Sequence, residues 1–213
     1  NGVDADHISF LKQRDHAMQP DLIALVGSRI CHDLISPIGA IGNGVELLSL
    51  TTGNTDPEMA LISDSVGSAN ARIRLFRIAF GAIGDGQRIS STEVQNILTD
   101  VAAGGRHSFH WGITGDQPRH LVRTALLLLL CFENALPLGG DMTVSSIGDT
   151  WHFTAKSKRV TIEPDLWNGM LNLKNAHRHT AAQVQFALLP LALAEAERTL
   201  SFRADETTLS AQF

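Results

Sequence analysis

SRICHDLISPIGAIGNGVELL, residues 28–48, is the stretch that decides the fold of this chain. Apolar or small residues recur within it and just before it, in alternating steps of three and four: Ala24, Gly27, Cys31, Leu34, Ile38, Ile41, Val45 and Leu48. These are the a and d positions of a heptad, so the pattern predicts a helix with one packing face. The register continues through Pro37, which therefore predicts a kink and not a helix end.

The same register predicts that the histidine of this stretch is exposed. His32 and Asp33 fall at b and c positions, which lie outside the packing face. Ser36, Gly39 and Asn43 follow His32 at four, seven and eleven residues, so they share its side of the helix. Their small side chains would leave a shallow face on which another protein could lie. The pattern indicates a histidine presented for chemical modification.

A second heptad seam follows a turn-rich segment at residues 51–57. It runs through Met59, Ile62, Val66, Ala69, Ile73, Phe76, Phe80 and Ile83. Two such helices joined by a short loop predict an antiparallel hairpin. One hairpin cannot bury both apolar faces well, so we expect two chains to pair into a four-helix bundle and the protein to be a homodimer.

The chain beyond this hairpin predicts a second unit, which divides the sequence into domains at 1–86 and 87–213. Residues 81–86 end the helical pattern, and Ser90 with Glu93 has the spacing of a capping box at the start of a new helix. Further elements are expected as strands near 107–113, 142–146, 151–155, 200–204 and 208–213, and as helices near 120–136, 164–173 and 180–198. Helices layered on a mixed sheet form an α/β sandwich, so the whole chain is predicted to be α+β.

The stretch around His32 resembles the phosphoacceptor box of sensor histidine kinases, which runs histidine, acid, two residues, a small polar residue, proline and an apolar residue. Its form here, with His-Asp-Leu, Ser-Pro, Gly-Ala and Asn-Gly-Val-Glu-Leu, is similar to the ChpT-type histidine phosphotransferases of alphaproteobacteria. The resemblance implies a dimerising helical hairpin followed by a domain shaped like a kinase ATP-binding domain that no longer binds ATP. It also implies that His32 carries a phosphoryl group, while Asp33 orients the imidazole and assists its deprotonation.

The resemblance has implications for partners as well. His32 would accept the phosphoryl group from the receiver aspartate of a hybrid histidine kinase and pass it to the aspartate of a response regulator. Mg²⁺ would sit on the partner receiver domain, so no cofactor is expected on this chain. Arg29, Ser36, Gly39 and Asn43 would form the docking face. Ser36 matches a family position that bears on dephosphorylation, although a small side chain that keeps the face open explains it equally well.

The second unit resembles a kinase ATP-binding domain, and residues 131–136, Cys-Phe-Glu-Asn-Ala-Leu, look like its asparagine box. Such a kinase also needs a glycine-rich phosphate loop and an Asp-x-Gly-x-Gly element, and neither is present. Residues 163–169 have the wrong spacing, and residues 139–141, Gly-Gly-Asp, are more easily a tight turn into a strand. Because Asn134 alone cannot bind a nucleotide, we expect neither ATP binding nor autokinase activity.

Three hypotheses on function therefore remain open: a histidine phosphotransferase, a divergent histidine kinase, and a non-catalytic dimeric scaffold that binds receivers. ATP binding separates the first from the second. The substitution His32→Ala separates the first from the third. A scaffold would bind its partners normally after the substitution, whereas the phosphotransferase would bind them but no longer transfer the phosphoryl group. The phosphotransferase is the leading hypothesis, since the box around His32 is present and the glycine elements are not.

Composition narrows the class of protein further. A net charge of −5 over 213 residues, without basic runs, argues against nucleic acid as a partner. Cys31 and Cys131 both lie in apolar helical patterns, which indicates a reducing compartment. The longest apolar run, residues 125–132, is too short to span a bilayer, so we expect a cytoplasmic protein without a membrane partner. Metal binding is not expected, because the histidine pairs at 107 and 110 and at 177 and 179 lack further ligands at recognised spacing.

Overall fold

The first part of the chain is a helical hairpin. The computed structural model describes residues 5–50, 56–84, 86–103, 105–171 and 179–213. Helix α1 spans Ala5–Leu50 and helix α2 spans Asp56–Ala79. As predicted, α1 continues through Pro37. It also begins well before the first seam residue, because residues 5–19 are rich in strong helix formers even though they carry no heptad pattern.

The two helices of the hairpin cover only part of each predicted seam. Gly44 lets them approach closely, since a Cβ atom added there would lie 2.5 Å from Cγ1 of Ile62. Three of the four seam residues at d positions of α1, with their counterparts on α2, are buried or half-buried: Leu34, Ile41, Leu48, Ile62, Ala69 and Phe76. The large apolar seam residues that alternate with these are between 41% and 59% exposed: Ile38, Val45, Met59, Val66 and Ile73. A continuous apolar strip along the hairpin is thus left open in the single chain, and we call these five residues the open strip.

Helix α1 also contains a stretch, Leu22–Leu48, that is long and apolar enough to cross a membrane by length and composition alone. An inspection for uninterrupted apolar runs does not reveal this stretch, because small and polar residues are interspersed there. Core helices of soluble proteins and signal sequences satisfy the same criterion. The stretch by itself therefore does not identify a membrane protein.

The second unit is a mixed sheet covered by helices, which confirms the predicted fold class. Its central sheet has the strand order β2-β4-β5-β7-β6, in which β2 and β4 are parallel and the other neighbours antiparallel. The elements are β1 Arg88–Ile89, α3 Ser91–Ala102, β2 His107–Trp111, β3 Gln117–Pro118, α4 Arg119–Ala135, β4 Gly140–Ile147, β5 Thr150–Lys156, α5 Pro164–Leu171, a 3₁₀ turn Ala181–Gln183, α6 Val184–Glu195, β6 Ser201–Ala204 and β7 Thr208–Gln212. The small β1-β3 pair was not predicted, because two residues carry no periodic signal.

Local capping explains where two of these helices begin. The Ser90 hydroxyl accepts a hydrogen bond from the backbone N–H of Glu93 at 3.1 Å, which is the N-cap half of the predicted capping box. The single helix predicted over 180–198 is instead a 3₁₀ turn followed by a shorter α6. Helix α6 begins later than predicted because Thr180 and Gln183 form a capping box around the 3₁₀ turn. Pro190 lies inside α6 and does not end it.

The hairpin and the second unit share one hydrophobic core. Helix α4 is apolar on almost every side and packs under the sheet, and the last turn of α2 enters the same cluster through Leu75, Phe76, Ile78 and Ala79. Two arginines of α4 reinforce the junction. Arg119 Nη2 donates to the carbonyl of Arg77 at 2.9 Å, and Arg123 Nε donates to the carbonyl of Ala79 at 3.3 Å. The predicted boundary near residue 87 falls in the chain between α2 and β1, but the core does not divide there.

Candidate functional site

His32 lies midway along α1 with its side chain 78% exposed. Ser36, Gly39 and Asn43 are exposed on the same side of the helix. A Cβ atom added at Gly39 would meet nothing within 4 Å, so the surface beside the histidine is flat and open. The structure thus brings together the histidine and these three small residues, in the arrangement that the sequence analysis predicted. Their role in docking stays a prediction.

The neighbouring acid determines which nitrogen of His32 is free. His32 Nδ1 lies 3.1 Å from Asp33 Oδ1. A carboxylate can only accept, so a neutral imidazole in this contact carries its proton on Nδ1 and its lone pair on Nε2. Nε2 then faces solvent as the nucleophilic atom. The carboxyl group itself is only 13% exposed, so its position is set by the protein more than by water.

Arg29 holds the other oxygen of that carboxylate. Its Nε donates to Asp33 Oδ2 at 3.1 Å, and its Nη1 donates to the carbonyl of Ala182 in the second unit at 2.8 Å. The side chain of Arg29 is only 14% exposed. The structure therefore places Arg29 behind the exposed face, between α1 and the second unit, and its predicted docking role stays untested. The i, i+4 spacing from Arg29 to Asp33 is the sequence signal that could have indicated this ion pair.

A cleft of about 500 Å³ opens next to the histidine, between α1 and the second unit. Asn134, from the stretch that resembles an asparagine box, lines this cleft together with Asp33 and Arg72. Arg72 Nη1 lies 3.5 Å from Glu133 Oε2, so these two residues form an ion pair in the lining of the cleft. The stretch that resembles an asparagine box and the exposed histidine thus border the same space.

Neither of the two stretches considered as nucleotide elements forms a phosphate loop in the structure, and Gly139 has a structural role. Gly139 has a φ of +84°, and a Cβ atom there would lie 2.0 Å from the carbonyl oxygen of Arg106. Only glycine fits this turn, from which β4 begins at Gly140. Residues 164–171 form helix α5, so the stretch with the wrong spacing is not a loop around phosphates.

The histidines considered as metal ligands have other surroundings. Nε2 of His107 lies 3.1 Å from the carbonyl of Leu136, and His110 is exposed on the outer side of the sheet. His177 lies outside the described residues. Among the residues that the structure does describe, no three His, Cys, Asp or Glu side chains converge as a metal ion would require.

The chain is similar to known proteins over most of its length. Residues 91–208 match the family model of the histidine phosphotransferase C-terminal domain. Over 150 residues, which are 68% of this chain and 71% of the other, the sequence is 41% identical to the protein phosphotransferase ChpT of Brucella abortus (strain 2308). The fold is similar to the solved structure of a bacterial phosphotransferase, with a TM-score of 0.75, 35% identity, and coverage of 91% of this chain and 96% of that one.

Proposed function

Because the chain belongs to the histidine phosphotransferase family, its role is phosphotransfer within a phosphorelay, and we propose that His32 is the residue that carries the phosphoryl group. The observation that supports this assignment is the exposed imidazole, whose Nδ1 lies 3.1 Å from Asp33 Oδ1 while its Nε2 remains open to a partner. The partners of such a relay are a kinase and response regulators. Their receiver domains work in the cytoplasm, and we place this protein there as well.

The proposed step is a reversible transfer between an aspartate and a histidine. The Nε2 lone pair of His32 attacks the phosphorus of a receiver acyl phosphate and forms an N–P bond. The bond from phosphorus to the aspartate oxygen breaks, and its electron pair stays on the released carboxylate. His32 becomes a positively charged phosphoimidazole that keeps its proton on Nδ1, where the Asp33 carboxylate stabilises the charge. The return transfer to a second receiver runs the same bonds in reverse.

Positioning and charge neutralisation dominate phosphoryl transfer, so this chain needs to supply few groups. His32 and Asp33 provide the nucleophile and its orienting base. The flat face at Ser36, Gly39 and Asn43 lets a receiver approach without a steric barrier. Mg²⁺ belongs to the receiver in this proposal, and ATP is not bound.

We extend the proposal to a homodimer formed through the hairpins. The five residues of the open strip are the large apolar seam residues that the hairpin leaves exposed. A row of large apolar side chains with heptad spacing is the pattern that a second helical pair covers in a four-helix bundle. A second copy fits because it brings the same strip in a self-complementary way. His32 lies at a b position of the heptad, so the bundle would leave it accessible.

The test of the phosphotransfer role uses a radiolabelled, phosphorylated receiver domain of a hybrid kinase from the same organism, incubated with wild type or with His32→Ala. Label on wild type alone, stable to base and labile to acid, supports the proposal. Labelling by ATP without a receiver would favour a divergent kinase. Receiver binding without any transfer would favour a scaffold.

The dimer is tested by size-exclusion chromatography with light scattering, which measures the molar mass of wild type and of Val45→Glu. The open strip predicts that wild type elutes as a dimer and that the charged variant elutes as a folded monomer, because a glutamate in the interface is costly to bury. A variant that remains dimeric, or a wild type that is monomeric throughout the micromolar range, would contradict the assignment of this surface.

A further inference from the structure

We infer that Arg29 is a positioning residue for phosphotransfer, and that it uses the second unit of the chain as its anchor. The inference rests on the proposed function of His32 and deepens it. It assigns to the degenerate ATPase-like unit a task in the chemistry of the histidine. It also gives Arg29 a role different from the docking role that the sequence suggested.

A continuous chain of polar contacts connects the histidine to the interior of the second unit. His32 Nδ1 contacts Asp33 Oδ1, and Arg29 Nε donates to Asp33 Oδ2, both at 3.1 Å. Arg29 Nη1 then donates to the carbonyl of Ala182 at 2.8 Å. The same carbonyl accepts a second hydrogen bond, from Gln185 Nε2, at 2.9 Å. Five residues from two helices and a 3₁₀ turn thus link the solvent to the core.

The far end of this chain is firmly held. Gln185 is 1% exposed, within α6. Ala182 lies in the 3₁₀ turn Ala181–Gln183, whose start is closed by the capping box of Thr180 and Gln183. A buried side chain and a capped turn together give the Ala182 carbonyl a defined position. That carbonyl is therefore a fixed acceptor for an arginine that comes from another helix.

Arg29 suits this task because its guanidinium is planar and rigid. Its Nε and Nη1 donors diverge at a fixed angle, so one acceptor on the second unit determines where the other donor points. The ion pair with Arg29 restrains the rotamer of Asp33. With Oδ2 held by Arg29, Oδ1 stays on Nδ1 of His32, which keeps Nε2 unprotonated and aimed outward.

The alternative role, docking of an acidic receiver by Arg29, fits the contacts less well. The side chain is 14% exposed and already donates to two acceptors. Arg106 lines the same cleft and is exposed, so it is the arginine there that a partner could reach. A docking residue would also be expected to alter affinity, whereas a positioning residue alters the reactivity of the histidine.

The experiment separates reactivity from docking by using phosphoramidate, a small donor that needs no docking surface. Its P–N bond breaks as His32 Nε2 bonds to phosphorus, and ammonia leaves. Wild type, Arg29→Ala and Arg29→Lys are compared, with Arg74→Ala as a matched control. Arg74 also links the hairpin to the second unit, through Asp100 at 2.7 Å, but it does not touch Asp33.

We expect Arg29→Ala to slow phosphorylation by phosphoramidate by about 10- to 100-fold, the range typical for removal of a group that orients a metal-bound histidine. Arg29→Lys should recover only part of the rate, because a lysine keeps the charge without the planar fork. Arg74→Ala should match wild type. The affinity for an unphosphorylated receiver should stay within twofold for all variants.

Nitrogen NMR of the imidazole gives a readout that a merely structural role would not move. In wild type the proton of the neutral ring should lie on Nδ1 of His32, and in Arg29→Ala it should be shared with Nε2. An unchanged tautomer together with a wild-type rate from phosphoramidate would overturn the inference, and so would a loss confined to receiver affinity. A wild type that takes no label from a phosphorylated receiver would instead refute the proposed function, whatever Arg29 does.

Discussion

Replacing Phe76 by Ala should destabilise both units of the chain at once. Phe76 lies on α2, yet it is 3% exposed within the core that the hairpin shares with the second unit, and its ring stacks on Phe80 with 5.0 Å between centroids. Loss of a buried phenylalanine ring typically costs about 3–5 kcal/mol, from lost transfer energy and from the cavity left behind. The stacked contact with Phe80 favours the upper part of that range.

Urea unfolding followed with two probes measures this effect. The three tryptophans, at 111, 151 and 167, all belong to the second unit, so their fluorescence reports that unit alone. Circular dichroism at 222 nm reports the helices, of which the hairpin contributes the longest. With a slope of about 2 kcal/mol per molar urea, a loss of about 4 kcal/mol lowers the midpoint by about 2 M. Both probes should shift together, at one fixed protein concentration.

The result that would refute the shared core is a tryptophan midpoint that stays at the wild-type value while the helical signal falls at lower urea. Leu138→Ala is the control for a large apolar residue that is exposed, in the loop before β4. It should change the unfolding free energy by no more than about 0.5 kcal/mol. A shift as large as that of Phe76→Ala would mean that the measurement does not report burial.

Three further predictions concern single side chains. Asp33→Asn should slow phosphotransfer through His32 by about 10²–10⁴-fold, because a neutral amide no longer stabilises the charged imidazole. The transfer assay with a phosphorylated receiver measures this rate, and a change under threefold would contradict the prediction. Iodoacetamide should spare Cys131 in the folded chain and label it after unfolding in urea, since burial raises the pKa of the Cys131 thiol; mass spectrometry decides, and labelling of Cys131 in the native protein would disprove it. Backbone hydrogen bonds lower the pKa of Asp205, so the stability that Asp205→Ala removes should be present at pH 7 and disappear as the pH falls below about 4, the ordinary aspartate range; urea midpoints that differ equally at pH 7 and pH 3 would refute this.

The hairpin could be predicted from the sequence because heptad spacing is a strong and repeated signal. The register placed His32 outside the packing face, and the structure exposes it there. The register could not predict which seam residues pack against the other helix of the same chain and which remain exposed. Ile38 and Leu34 both read as packing residues, yet the chain covers only Leu34, because helix angle and the close contact at Gly44 decide which half meets α2.

Contacts between distant parts of the chain account for most of what the sequence did not predict. Arg29 and Ala182 are 153 residues apart, and nothing in the local pattern of either residue indicates the other. The entry of Phe76 into the core of the second unit is similar, since a heptad position states only that a residue is buried, not by what. Helix α6 was predicted too long because a capping box at Thr180 is a local feature that apolar periodicity conceals.

Because the last turn of α2 is embedded beneath α4, each chain already contains a complete core of its own. In the proposed dimer, the partner would then cover only the open strip, and separation of the two copies would not require either one to unfold. Obligate dimers without a stable monomer lack this property. Folded chains could therefore exchange subunits, and a phosphorylated copy could re-pair with an unphosphorylated one while keeping its phosphoryl group.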